Sequence, residues 1–365
     1  MFLSGICNRT NFCHFSCLWA KASTMDLDLL NLACVNINTV IDKVFDYSLT
    51  GENGQKALVV YDDGCPLSRL LAQAYRQILP RATVIDFDQS DAEKIKDELH
   101  KLSPQDLVVL IQSMSFRLDA FRIRIHLFER GLKVIEHPHL SRVQDNEIAT
   151  YVASLNYDAN YYRQLGPELK KRLDQARKVK LLNADLALTY AGHFETAKLN
   201  IGDYTGMKNW GGQFPIGEVF TELRDLECLS GKIALFAFGD NDFSITNCEP
   251  PLVLDIQRGR VVASHPVNPL FEEILEKIRQ HEGAVWVREL GFGLNRAITR
   301  TIQIHDVGIY ERMCGVHLSL GAKHALYPKV GFDKKKVKFH VDVFAVIDSV
   351  TIDDETVYEE DAYVI

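Results

Sequence analysis

Four stretches in the second half of the chain bring together carboxylate and imidazole groups. They are QFPIGEVFTE with Glu218, RELGFGLNR with Glu289, GVHLSLGAKH with His317 and His324, and KFHVDVF with His340 and Asp342. Imidazole nitrogens and carboxylate oxygens together hold divalent transition metals well. Two ions in one cavity require further carboxylates, because oxygen ligands can bridge them. The residue types therefore predict a metal site.

The spacing in KFHVDVF supports this prediction. In a strand, residues i and i+2 project from one face, so His340 and Asp342 can reach one ion while the apolar residues beside them pack into the core. His317 and Ser319 share a face for the same reason. Taken alone, each motif has a simpler interpretation: a solvated His-x-Asp pair, or a glutamate and glycines in a turn.

The elements of the first half alternate between strand-like and helix-like patterns. Strands are predicted at 57–62, 82–87, 106–111 and 132–136, with helices at 65–79, 91–102 and 116–130 between them. This alternation predicts an α/β domain with a mostly parallel sheet. The loop DDGCPLS after the first strand has a single glycine, so it is not a phosphate-binding fingerprint.

Residues 145–178 are predicted to form a helical connector, after which the pattern changes. Short strand-like segments follow, separated by Gly, Asn and Asp, with one helix at 269–281. These segments include 186–192, 232–238, 251–257, 260–264, 284–290, 297–304, 316–320 and 337–352. We therefore expect an extension at 1–24, an α/β domain at 25–178, and a β-rich α+β domain that binds the metal at 179–365.

Composition excludes several functional classes. The chain has 365 residues, 47% of them hydrophobic, and a formal net charge of −8. The acidic balance argues against a nucleic-acid or anionic-membrane surface. No run of about 18 apolar residues occurs, so no transmembrane helix is predicted. The eight cysteines form no CxxC pair, which is typical of a reducing cytoplasm.

The order of the four motifs resembles the thermophilic metallo-aminopeptidases of the aminopeptidase T and S type. PIGEVFT, ELGFGLN, HLSLG and HVD follow one another as they do in that family, over roughly residues 180–350. The resemblance implies a dimeric, two-domain peptidase acting on peptides through two divalent ions (Zn, Co or Mn). It implies that the metal ligands are Glu218, Glu289, His317, His340 and Asp342.

The sequence departs from the family after the third motif. The family has a tyrosine seven residues beyond the histidine, where this chain has His324; the nearest tyrosine is Tyr327. Either residue is a candidate catalytic group. The family's acidic DEK before the same motif is here YERMCG, which keeps only Glu311 and the basic Arg312.

The resemblance implies metal-assisted hydrolysis, in which a carboxylate takes a proton from water and passes it to the leaving amine. Glu222 and Glu289 are both candidates for that carboxylate. One alternative is an Fe(II)-dependent ring-cleaving dioxygenase. The fold of the aminopeptidase family resembles that of dihydroxypyridine dioxygenases, and a set of imidazole and carboxylate ligands suits iron. Another is a non-catalytic relative that binds a small molecule.

Overall fold

The computed structural model describes residues 26–47, 54–117, 123–321, 327 and 339–365. Its helices are α1 (Leu27–Phe45), α2 (Pro66–Ile78), α3 (Ala92–His100), α4 (Ile123–Glu129), α5 (Ile148–Ser154), α6 (Ala159–Gln175), α7 (Pro269–Glu282) and α8 (Val307–Tyr310). Its strands in the first half are β1 (Ala57–Tyr61), β2 (Thr83–Asp86), β3 (Leu107–Ile111) and β4 (Lys133–His137). Its later strands are β5 (Lys178–Asn183), β6 (Leu186–Ala191), β7 (Lys198–Asn200), β8 (Trp210–Gln213), β9 (Glu218–Glu222), β10 (Leu229–Gly239), β11 (Ile245–Gln257), β12 (Arg260–His265), β13 (Val287–Gly293), β14 (Gly315–Gly321), β15 (His340–Ala345), β16 (Ser349–Ile352), β17 (Glu355–Glu359) and β18 (Ala362–Tyr363).

The first sheet is parallel and has the strand order β2-β1-β3-β4-β8. Its central strands β1 and β3 are buried along their whole length, as their continuous apolar runs predict. Alternate residues of β1 face different layers: Val59 packs in one cluster with α1, α2 and α5, whereas Leu58 and Val60 pack in another with α3 and α4. The predicted α/β layering is confirmed.

Strand β8 joins this sheet from the second half of the chain. It pairs in parallel with β4, so backbone contacts cross the boundary expected after residue 178. The pairing requires Gly211, whose φ is +114° and where a Cβ would lie 1.9 Å from the carbonyl oxygen of Val134. The domain boundary itself stays a prediction.

The second sheet is large and antiparallel. Its order is β18-β17-β16-β5-β6-β10-β15-β14-β13-β9-β7, and the β11–β12 hairpin continues from β10. Helix α7 covers part of it: Asn268 caps the helix by accepting from the amide of Phe271 at 3.1 Å, Pro269 follows, and Gly283 ends it with a φ of +79°. The β-rich second half and this helix are confirmed.

Four predicted elements differ from the structure. The strand-like segment at 337–352 divides into β15 and β16, which pair with different neighbours. Residues 297–304 form turns instead of a strand, because the Thr299 hydroxyl accepts from the amides of Thr301 and Ile302 and so replaces ladder hydrogen bonds with local ones. The helix expected at 116–130 is seen at 123–129, and residues 118–122 lie outside the described residues. The connector at 145–178 divides into α5 and α6 and ends where β5 begins.

Within the part of the chain that the structure describes, no helix is both long enough and apolar enough to cross a membrane.

Candidate metal centre

Strands β9, β13, β14 and β15 are consecutive neighbours in the antiparallel sheet, and they carry the candidate residues on one face. Directly opposed residues of an antiparallel pair point to the same side, and so do residues two or four apart along a strand. The opposed pairs are Glu218 with Gly293, Glu222 with Glu289, His317 with Gly291, and Asp342 with Ser319. The register of four strands thus gathers motifs that are far apart in the sequence.

Three of these residues form a compact buried cluster. His317 Nε2 lies 3.3 Å from Glu218 Oε1 and 3.5 Å from Glu289 Oε1. One ligand atom from each residue lies within 4.8 Å of the others, and all three residues are at most 4% exposed. Glu289 Oε2 is buried and accepts no hydrogen bond from the described residues. Such an oxygen needs a partner, and a metal ion fits the two carboxylates and the imidazole.

Two glycines of β13 make space for this cluster. A Cβ on Gly291 would lie 2.1 Å from His317 Nε2, so the imidazole occupies the space above a bare backbone. A Cβ on Gly293 would lie 2.0 Å from the carbonyl oxygen of Met313. The interpretation of these glycines as part of a turn is wrong, because both lie within a paired strand. Their role is close approach instead of chain reversal.

The electrostatics favour a positive charge among these carboxylates. Burial raises the pKa of Glu218, but the nearby Arg312 guanidinium and the neighbouring His317 outweigh it, so the pKa is lowered overall. Burial opposes protonation of His317, yet the neighbouring carboxylates of Glu218 and Glu289 raise its pKa to about 9. The cluster is therefore a buried place where two carboxylates stabilise a cation between them.

His340 and Asp342 meet beside this cluster. His340 Nε2 lies 3.0 Å from Asp342 Oδ1, so the predicted convergence on one strand face occurs. Asp342 is buried, whereas the His340 side chain is 35% exposed. Burial raises the pKa of Asp342, but the charges of His340, His317 and Arg312 lower it overall. The pair thus borders both the cluster and solvent.

The expected catalytic residues have different surroundings. Glu222 is buried opposite Glu289. Burial lowers the pKa of Arg288, and the charge of Glu222 offsets part of this lowering. The hydroxyl of Tyr327 lies 3.2 Å from the carbonyl oxygen of Thr196 and 3.3 Å from that of Phe220, so it donates its hydrogen bond to backbone acceptors. His324 lies outside the described residues.

Sequence reasoning missed two contributors to the site. The guanidinium of Arg312 lies 3.4 Å from Glu218 Oε2, although its position in YERMCG gave no sign of this contact. Ser319 Oγ accepts a hydrogen bond from the amide of Glu289 at 3.1 Å and so fixes the backbone there. The signal available for Ser319 was its spacing of two from His317 in VHLSL.

Comparison with known proteins shows the fold. No protein-family model matches the chain, and no curated protein matches it. Among solved structures, 2,5-dihydroxypyridine dioxygenase from Pseudomonas putida KT2440 is similar with a TM-score of 0.58 and 13% identity, over 92% of this chain and 96% of the dioxygenase. Wild-type AmpT from Thermus thermophilus is similar with a TM-score of 0.54 and 13% identity, over 93% of this chain and 99% of AmpT.

Proposed function

We propose that this protein is a metal-dependent hydrolase that removes amino-terminal residues from peptides. The observation that carries the proposal is the buried cluster of Glu218, Glu289 and His317, with a Glu289 oxygen that has no hydrogen-bond donor among the described residues. The fold shared with AmpT and the order of the sequence motifs support an aminopeptidase. By resemblance to that family, we also propose a homodimer.

The side chains of such a site have different roles. A divalent ion, when bound, supplies a water of lowered pKa and polarises the scissile carbonyl. Glu218 Oε1 and His317 Nε2 would hold the ion together with Glu289 Oε1. His340 and Asp342 complete the ligand set that the resemblance implies, at the side of the cluster nearest to solvent.

The structure favours one of the two candidate proton acceptors. Glu222 acts electrostatically on Arg288, whereas Glu289 belongs to the cluster, with Oε1 3.5 Å from His317 Nε2 and with Oε2 accepting no hydrogen bond from the described residues. We propose that Glu289 Oε2 accepts the proton of the attacking water and returns it to the leaving amine. Glu222 then balances a buried guanidinium and takes no proton.

Hydrolysis of aminoacyl nitroanilides tests the proposal. The chelator-treated protein is assayed with Co²⁺, Zn²⁺ or Mn²⁺, beside the variant E289Q and the control E276Q, which changes a solvent-exposed glutamate of α7. We expect turnover by the wild type and the control, and a loss of about 100-fold or more in E289Q. Absence of turnover with all three metals would contradict a peptidase.

One observation favours a second candidate, an Fe(II)-dependent ring-cleaving dioxygenase. His317, His340 and Asp342 offer two imidazoles and one carboxylate from the adjacent strands β14 and β15, the ligand combination of many non-haem iron oxygenases. The dioxygenase from Pseudomonas putida shares the fold. Iron in the purified protein, with oxygen uptake in the presence of 2,5-dihydroxypyridine, would support this function, and a protein that binds no metal would point to a non-catalytic relative.

A further inference from the structure

Arg312 places a buried positive charge at the edge of the cluster. The Arg312 side chain is 8% exposed, and its Nη1 lies 3.4 Å from Glu218 Oε2. The same nitrogen contacts Glu311 Oε1. Arginine stays protonated under all ordinary conditions, so this charge is permanent.

The backbone holds Arg312 in this position. Its amide donates to the carbonyl of Ile309 at 3.1 Å, at the end of α8, and its own carbonyl accepts from the amide of Asn295 at 2.9 Å. A Cβ on Gly293 would lie 2.7 Å from the carbonyl carbon of Arg312, so this approach to β13 depends on a glycine. The guanidinium is therefore a built-in part of the site.

The two oxygens of Glu218 consequently face different cations. Oε1 lies 3.3 Å from His317 Nε2, within the ligand cluster, and Oε2 lies 3.4 Å from Arg312. A carboxylate that bridges two metal ions through both of its oxygens gives one oxygen to each. A second ion on Oε2 would have to displace a fixed guanidinium or lie against it, and like charges so close in a buried site repel strongly.

We propose that Arg312 takes the place of a second metal ion, so that the centre holds one divalent ion, which Glu218 binds through Oε1 alone. This inference rests on the metal site of the proposed function and replaces the two ions that the sequence resemblance implies. The His340–Asp342 pair then contributes to the ligand set of that single ion and does not hold a second one.

Metal stoichiometry tests the inference without reference to activity. Chelator-treated protein is titrated with Mn²⁺, and bound metal is counted by elemental analysis after dialysis. An electron paramagnetic resonance spectrum at saturation distinguishes isolated ions from magnetically coupled pairs. The variants are R312M, which removes the charge, R312K, which keeps it, and R296M as a control, since Arg296 forms an exposed pair with Asp158.

We expect one isolated ion per chain in the wild type, R312K and R296M, and a second, magnetically coupled ion in R312M. Two ions in the wild type would overturn the inference, and so would a single ion in folded R312M. R312Q replaces R312M if the latter fails to fold. No bound metal in the wild type would instead contradict the metal site itself, so the two failures are distinguishable.

Discussion

Gly291 offers a test of how the site is built, because the space above it is filled by His317 Nε2, the atom that we propose binds the metal. In Gly291→Ala the new Cβ would lie 2.1 Å from His317 Nε2, whereas ordinary contact begins at 3.4 Å. The ring must therefore move by about 1.3 Å, the difference between 3.4 and 2.1 Å. Bonds from zinc to histidine nitrogen are near 2.0–2.1 Å and tolerate deviations of about 0.2 Å.

The displacement is thus several times larger than a metal bond tolerates, and the substitution in effect removes one ligand. Changes to groups that only orient ligands typically weaken binding about 10–100-fold, so we expect a loss at the upper end of that range or beyond it. The assay is competition with a coloured chelator for Zn²⁺, starting from metal-free protein. Overpacking of this kind also costs about 1–3 kcal/mol of stability, so folding is checked by urea denaturation.

Gly212→Ala is the matched control. Gly212 also lies in a strand, and a Cβ there would meet no atom within 4 Å, so its metal affinity should equal that of the wild type. If folded Gly291→Ala bound Zn²⁺ as tightly as this control, His317 would not be a ligand and the geometry proposed for the centre would be refuted.

Three further predictions concern other buried groups. Burial lowers the pKa of His137 to about 3, so its stabilising contribution is present above its ordinary pKa of 6.5 and is lost as the pH falls below that value. Between about pH 7.5 and about pH 5 the wild type should lose about 2 kcal/mol of its free energy of unfolding through this group, measured by urea denaturation. The variant His137→Gln should not show this loss, and an acid dependence equal to that of the wild type would contradict the prediction. Arg288→Met should lower the free energy of unfolding in urea by about 3–5 kcal/mol, because it leaves Glu282 buried without its cation. The control Arg296→Met changes an exposed pair and should lower it by about 1 kcal/mol at most. Similar losses in both variants would disprove the buried pair. Asp342→Ala should release bound metal while circular dichroism stays unchanged, and an undiminished metal content would remove Asp342 from the ligand set.

The sequence predicted the first sheet well because its signals are local. The continuous apolar runs at 57–62 and 106–111 predict strands that are buried on both faces, and these runs form β1 and β3. Strand β8 carried no comparable signal. Its segment WGGQ has two glycines, and its pairing depends on contact with β4, which lies far away in the sequence.

The candidate site shows the same limit. Residue type and spacing of two along a strand predicted that His340 and Asp342 converge, and they do. The sequence did not predict that Arg312 would face Glu218, because that contact depends on how closely the segment after α8 approaches β13. Such an approach is set by the absence of a side chain at Gly293, whose effect appears only once the strands are paired.

Anomalous X-ray diffraction from a crystal of the metal-loaded protein tests the central claim most directly. We expect an anomalous peak among Glu218, Glu289 and His317, bonded to His317 Nε2 at about 2.0–2.2 Å for Zn²⁺ or a similar ion. A metal-saturated crystal in which the peak lies elsewhere, with His317 Nε2 still 3.3–3.5 Å from the oxygens of the two glutamates, would contradict the metal centre.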